Sequence, residues 1–432
     1  MKIEIPREVE RFGPIVFHGV QKVYELDSGL RNAKNDKDDN PIMKRIAYDT
    51  QHEIQKQMAI VVPIRNEKIK LVEGVLSGIP HHCLIIIVSN SPRFPMDRYK
   101  LEKDAIEHME HFMDRDILIV HQKDPKLGEA CAAAGYSHIL DKNGVVKDGK
   151  AEGMILSKIL AYICGKKYIG FIDSDNYFPG AVMEYVHEYG AGFTMSNSDY
   201  TMVRISWHSK PKVVESNLFF AKRGRASEHT NRILNRLISS FTGYGTETIK
   251  TGNAGEHAMT MDLAMKLDYS SGYSIEPYHY INVLEKFGGI IANPSEDVMN
   301  QQVEFFQIES RNPHLHEVKG DQHVKDMSKA AMECIYNSPI CPEALKENIM
   351  EDLITRKILP KGEKLGNNLN YYPALENFDL RKFKDVLKNQ EYAGLFKDKL
   401  PEFKETKVSK PLRDTKMAKE RVLPEKGKLE MK

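Results

Sequence analysis

An α/β fold, a mostly parallel sheet flanked by helices, is predicted by three features of the chain. Short runs of apolar and β-branched residues recur without alternation, as strands buried on both faces require. Segments with apolar residues at helical spacing lie between them. The runs end in polar tips, and in open parallel sheets ligands gather beyond the carboxyl ends of the strands.

Residues 1–54 form an N-terminal extension that mixes short apolar segments with the polar tract Arg31 to Asn40, which reads as a surface loop. From residue 55 the texture changes. Met58 to Ile64 (MAIVVPI) predicts a strand, and Ile69, Leu71, Val72, Val75 and Leu76 then fall at helical spacing. Cys83 to Val88 (CLIIIV) and Asp116 to Val120 predict two further strands. Gly153 to Cys164 predicts a helix, and Tyr168 to Ile172 a fourth strand that stops at Asp173-Ser174-Asp175-Asn176. The tips after Ile64, Val88, Val120 and Ile172 therefore share one crevice. Residues 55–205 are then the half that carries the crevice, 206–330 a loop-rich half built over it, 331–404 a helical carboxyl region and 405–432 a flexible tail or arm.

Composition excludes several classes. The 432 residues are 28% charged and 41% hydrophobic, with 62 Lys+Arg against 61 Asp+Glu, so the chain has no basic excess for nucleic-acid phosphates. The longest apolar runs, Cys83 to Val88 and Ile159 to Cys164, have six residues each, where a bilayer span needs about 20. Met1 to Arg11 has no apolar core of signal-peptide length, so no membrane association and a cytoplasmic location are expected. Five cysteines (83, 131, 164, 334 and 341) without a Cys-x-x-Cys pair read as reduced, mostly buried thiols.

Asp173-Ser174-Asp175 is the strongest local feature, because two acids spaced by one sit where a buried strand opens into a loop. Magnesium or manganese holding a diphosphate suits such a pair, since carboxylate and phosphate oxygens share one octahedral shell; capping or turn aspartates are the alternative. Pro63, Arg65 and Glu67 follow the first strand of the sheet and are placed to reach a nucleotide, or form an ordinary strand-to-helix turn. Lys150 precedes a helix where it would neutralise a phosphate, or is a solvated turn lysine. Lys222-Arg223-Gly224-Arg225-Ala226-Ser227 suits a small anion as well as a solvated basic loop. His314 and His316 point the same way in an extended segment, where one would complete a metal shell; polar surface is the alternative.

Taken together these segments resemble the mannosyl-3-phosphoglycerate synthases, retaining glycosyltransferases of the GT-A, Rossmann-like type. The resemblance rests on IVVPIRNE (60–67), IVSNSP (87–92), GKAEGM (149–154), YIGFIDSDNYFPGAV (168–182), KRGRASEHTNRI (222–233), GNAGEHAMTMDLA (252–264) and RNPHLHE (311–317), in that order. It implies transfer of mannose from GDP-mannose to 3-phosphoglycerate with retention, a divalent cation (Mg2+, Mn2+ or Co2+), and a place in synthesis of the compatible solute mannosylglycerate. It further implies that residues 55–205 bind the nucleotide sugar and 206–330 the acceptor, with guanosine-side contacts from Pro63, Arg65 and Glu67, Ser89 near the base or ribose and Lys150 at the nucleotide. Asp173, Ser174 and Asp175 match the family's Asp-x-Asp element, Asp175 as direct metal ligand and Asp173 toward ribose or sugar. The resemblance implies His316 as the third metal-side group, with His314 close enough to exchange roles; Gly224, Arg225 and Ser227 match the acceptor loop, and Glu256 the acid near the transferred sugar.

Four other readings compete with this one. A nucleotidyltransferase wants a glycine-rich basic loop after its first strand, which Val61 to Glu67 lacks, and an Asp-x-Asp phosphatase wants its pair earlier, with Thr or Val where Tyr177 stands. A non-catalytic sugar-nucleotide sensor would bind without turnover. A glucosyl-3-phosphoglycerate synthase is the nearest rival, and the helical carboxyl region offers a surface for a homodimer.

Overall fold

A computed structural model describes residues 1–26, 42–176, 178–214, 217–221, 225–291, 296–315 and 320–388; the tract Arg31 to Asn40 and the tail 405–432 lie outside the described residues.

Among the described residues the chain builds one eleven-stranded sheet. Four parallel neighbours, Tyr168–Phe171, Met58–Ile64, Leu84–Ser89 and Ile117–His121, form one end. Both faces of these strands are buried, and the pleat sorts their side chains. Val61, Ile86, Val88, Leu118 and Val120 pack with Met154, Ile155 and Ile159 of the helix Lys150–Ile163. Ile60, Val62, Ile85, Ile87 and Ile119 pack instead with the helices Ile69–Gly78 and Pro179–Met195, through Val72, Val75, Val182 and Val186. Fully burying each such side chain contributes roughly 1.5–3 kcal/mol, so the apolar runs fix both strand position and layer order. Asp97 and Asp124 start the helices Arg98–Met113 and Pro125–Ala133 by accepting hydrogen bonds from the Lys100 and Lys126 backbone N–H groups.

The sheet continues through His257–Thr260, which is antiparallel to both Tyr168–Phe171 and Tyr200–Ser206. Beyond it Tyr200–Ser206, Val303–Glu309 and Ile15–Glu25 run parallel again. Strands from residues 1–54, 55–205 and 206–330 thus share one sheet. Reversal of the His257 strand has a functional consequence. Its amino end pairs with the carboxyl ends of its neighbours, His257 opposite Phe171 and Arg204, so the Asn253–Glu256 segment arrives at the same edge as Asp173.

The carboxyl region holds the helices Asp321–Tyr336, Glu343–Thr355 and Leu380–Lys388, and between the last two lies largely irregular chain with the short strand Tyr371–Tyr372, which pairs with Tyr269–Ser270. None of the five cysteines is paired, and four are buried. Among the described residues no helix is long and apolar enough to cross a membrane.

Candidate active site

A cavity of about 1050 Å³ opens at the carboxyl ends of the parallel strands. Pro63, Arg65 and Glu67 line it from the end of the Met58 strand, Asn90 and Gln122 from the next two, and Asp173, Ser174 and Asp175 from the fourth. The turn after Ile64 is shaped by Asn66, whose backbone adopts φ 64° and whose N–H donates to Ser91 Oγ at 2.7 Å. Asn is among the few residues that enter the left-handed region readily. Glu67 turns back and accepts a hydrogen bond from the Arg65 N–H.

Lys150 is the first residue of its helix, where a cation opposes the macrodipole. It is held there by two acids: Nζ stands 2.7 Å from Asp173 Oδ1 and 3.1 Å from Glu276 Oε1. Burial works against its charge, but Asp173 and Glu276 outweigh burial and hold the amine well above its ordinary range. Gly149 adopts φ 149° and leads into the helix; a Cβ there would stand 2.0 Å from Glu152 Oε2. Gly149 and Lys150 both line the cavity, so a helix amino terminus and a fixed ammonium face the same space, an arrangement suited to phosphate.

Glu256 lies behind the wall. It is fully buried, and its two oxygens accept hydrogen bonds from Asn176 Nδ2 and Trp207 Nε1, each at 3.0 Å. Trp207 and His314 do line the cavity, with their rings stacked 4.5 Å apart at 22°. His314 Nδ1 sits 3.3 Å from the Tyr185 hydroxyl and 3.9 Å from Glu256 Oε1. The buried carboxylate therefore positions Asn176 and Trp207, and no oxygen of it is exposed to a sugar in this arrangement. Gly255 lines the cavity beside it, and a Cβ there would stand 2.6 Å from Asp173 Oδ2.

Ser89 also sits differently from its expected position at a base or ribose. It is fully buried, and its hydroxyl donates to Glu102 Oε2 at 2.7 Å, while the following residue, Asn90, reaches the cavity. The strand simply runs one residue further than its apolar run, to Ser89. On the acceptor side the helix Arg225–Thr242 begins at the cavity, where Ala226 and Ser227 line it. Gly224 and His316 lie outside the described residues, as does the Arg225 side chain.

Three residues of the cavity belong to none of the motifs that the sequence offers: Glu276, Trp207 and Asp148. Glu276 is an acid inside an otherwise apolar helix start, beside Ile275, Pro277 and Tyr278, and that contrast was its only mark.

The donor set fits a hard divalent cation. Asp175 is nearly buried, and it lines the cavity, as do Asp173 and His314. Among the described residues no group of three His, Cys, Asp or Glu side chains converges on one point. One or two carboxylates completed by substrate phosphates is the usual way proteins hold magnesium.

A family model described as mannosyl-3-phosphoglycerate synthase matches residues 5–387. The chain belongs to the mannosyl-3-phosphoglycerate synthase family. It is similar to the mannosyl-3-phosphoglycerate synthase of Pyrococcus furiosus, 44% identical over 393 residues that cover 90% of this chain and 98% of the relative. The synthase of the same name from Aeropyrum pernix is 32% identical over 378 residues, covering 87% and 94%. Among solved structures, glucosyl-3-phosphoglycerate synthase of Mycobacterium tuberculosis with Mn2+, UDP-glucose and glycerol 3-phosphate is 14% identical with a TM-score of 0.46 over 77% of this chain and 96% of that one. That distance is too great to bear on individual residues. Membership makes the chain a glycosyltransferase, and it places the cavity in an enzyme.

Proposed function

We propose that this enzyme transfers mannose from GDP-mannose to the hydroxyl of 3-phosphoglycerate, releasing GDP and giving mannosyl-3-phosphoglycerate with the anomeric configuration retained. Such a product feeds synthesis of mannosylglycerate, a compatible solute, and the reaction runs in the cytoplasm. The observation that carries this reading is the meeting of Lys150, Asp173 and Asp175 at one strand edge, inside a cavity that also receives the start of the Arg225–Thr242 helix.

The chemistry follows from charge. As the bond from the sugar to the diphosphate breaks, negative charge grows on the leaving oxygen, and fixed positive groups there lower the barrier most. Lys150, held charged by Asp173 and Glu276, meets part of that demand without reorganising. A divalent cation (magnesium, manganese or cobalt) held by Asp175 with His314 or His316 would supply Lewis-acid neutralisation of the diphosphate. The acceptor is a second anion. The amino end of the Arg225–Thr242 helix and the Ser227 hydroxyl bind its phosphate or carboxylate, bringing two like-charged substrates together in one orientation. The acceptor hydroxyl attacks on the face from which GDP departs, and its proton passes to a donor phosphate oxygen.

The test measures kcat/KM for GDP-mannose, GDP-glucose and UDP-glucose with 3-phosphoglycerate and magnesium. GDP-mannose is expected to lead. Product from a glucose donor alone would convert the reading to a glucosyl-3-phosphoglycerate synthase, and binding of GDP-mannose without product from any donor would leave a sensor.

A further inference from the structure

Asp148 lies at the end of the cavity away from Asp175, and three donors surround its carboxylate. Asn90 Nδ2 donates to Oδ1 at 2.7 Å, Lys123 Nζ stands 3.2 Å from Oδ1, and Arg65 Nη2 stands 3.3 Å from Oδ2. These partners come from the tips of three neighbouring strands, Met58–Ile64, Leu84–Ser89 and Ile117–His121. The fourth strand, carrying Asp173 and Asp175, lies on the other side of the Met58 strand. Arg65, Asn90 and Asp148 all line the cavity, on the side toward which a nucleoside diphosphate held by its phosphates at Lys150 and Asp175 would extend its base.

We propose that Asp148 is the residue that selects guanine as the donor base. This rests on the reading of the donor as a GDP-sugar and adds the group that reads it. A carboxylate only accepts hydrogen bonds, and Arg and Lys only donate. Guanine carries N1–H and N2–H side by side, two parallel donors that match the two oxygens of one carboxylate, with O6 and N7 next along as acceptors for Arg65 and Lys123. Uracil offers a single N3–H between two carbonyl oxygens, which the carboxylate repels. Adenine turns the N1 lone pair toward it. The side chains now around Asp148 are exposed (Arg65 64%, Lys123 41%, Asp148 48%), and exposed ion pairs are worth at most about 1 kcal/mol. A base therefore exchanges with them at little cost.

Calorimetric titration of the full-length protein with GDP, IDP and UDP, all with magnesium, tests this. IDP is GDP without the 2-amino group. The wild type is expected to bind GDP roughly ten- to hundredfold more tightly than IDP, the range set by one hydrogen bond to a charged acceptor. In Asp148→Ala the two affinities converge to within about twofold. Asp148→Asn, which keeps the shape and the Asn90 contact, loses the preference as well. A GDP-over-IDP preference that survives in both variants, or is missing from the wild type, overturns the inference while leaving the donor reading standing. A wild type that binds UDP more tightly than GDP, or binds none of the three, overturns the donor reading and this inference together.

Discussion

Lys150 Nζ stands 2.7 Å from Asp173 Oδ1, so the first residue of one helix is tied to the acidic tip of a strand across the cavity floor. Glu276 closes the same ion group at 3.1 Å. Removing the ammonium leaves two acids without their cation. Lys150→Met should lose about 2 kcal/mol of stability, less than a fully buried pair because the group faces the cavity and its water. Donor binding should fall with it. In Lys150→Met/Glu276→Gln, which leaves only Asp173 without the cation, thermal unfolding should recover part of that stability while calorimetry still finds weak GDP binding, separating the structural part of Lys150 from its binding part.

Trp207 is the only tryptophan in the chain, and it lines the cavity stacked on His314. Its indole N–H is fixed by Glu256. Intrinsic fluorescence is therefore a direct report on the site, and titration with GDP-mannose or 3-phosphoglycerate should give a saturable change. Glu256→Gln should shift the emission of the ligand-free protein, because an amide nitrogen can replace one of the two acceptor oxygens. Emission unchanged by either ligand or by the substitution would show that both act elsewhere.

Gly255 leaves room for Asp173. A Cβ at 255 would stand 2.6 Å from Asp173 Oδ2 and 3.2 Å from Cγ, so the acid must move. Misplacement of a reacting group by about 1 Å can cost on the order of 100-fold. Gly255→Ala is expected to lower kcat/KM by roughly 10- to 100-fold with a small change in thermal midpoint, and full activity would show that Asp173 has freedom to relocate.

Lys158 gives the pH dependence. Its amine is fully buried, 4.6 Å from the centre of the Phe171 ring and 4.3 Å from that of Tyr269, with no hydrogen-bond partner among the described residues. Burial pulls its pKa down to about 7, against a small opposing pull from Glu276. Between pH 7 and the ordinary lysine value near 10.4 the unfolded chain binds the extra proton, so this group's contribution to stability rises with pH across that window, by at most about 1.4 kcal/mol per unit. Lys158→Met keeps the volume and removes the term. Unfolding curves from pH 6.5 to 9.5 should show the variant gaining most at the acid end, with the difference from wild type shrinking as pH rises. A difference that grows with pH would contradict the assignment.

How much of this was legible depends on how local the cause is. The strand Met58–Ile64 and the helix starting at Ile69 match their apolar patterns, because burial on both faces leaves its mark on every residue of a short run. Ile15–Glu25 was hidden inside what read as an extension. Its sequence breaks at His18 and Gly19, and its parallel partner Val303–Glu309 lies about two thirds of the chain away, so no local period announces the pairing. At the site, Asp173 and Asp175 stood out because acids at the end of a buried strand are costly without a task, whereas Lys150 read equally as a solvated turn lysine until the family resemblance placed it at the nucleotide. Glu276, Trp207 and Asp148 did not stand out, since each reaches the cavity only through tertiary approach. Ser89 and Glu256 were marked by motif position, and motif position does not tell a cavity wall from the layer behind it.

The most direct test follows the sugar itself. Purified protein is incubated with magnesium, 3-phosphoglycerate and GDP-mannose carrying 13C throughout the mannose, and the products are resolved by mass. The account predicts a phosphoglycerate adduct carrying the whole labelled hexose, formed by the wild type and lost in Asp175→Ala. Label recovered only in free mannose or in unchanged GDP-mannose would contradict it.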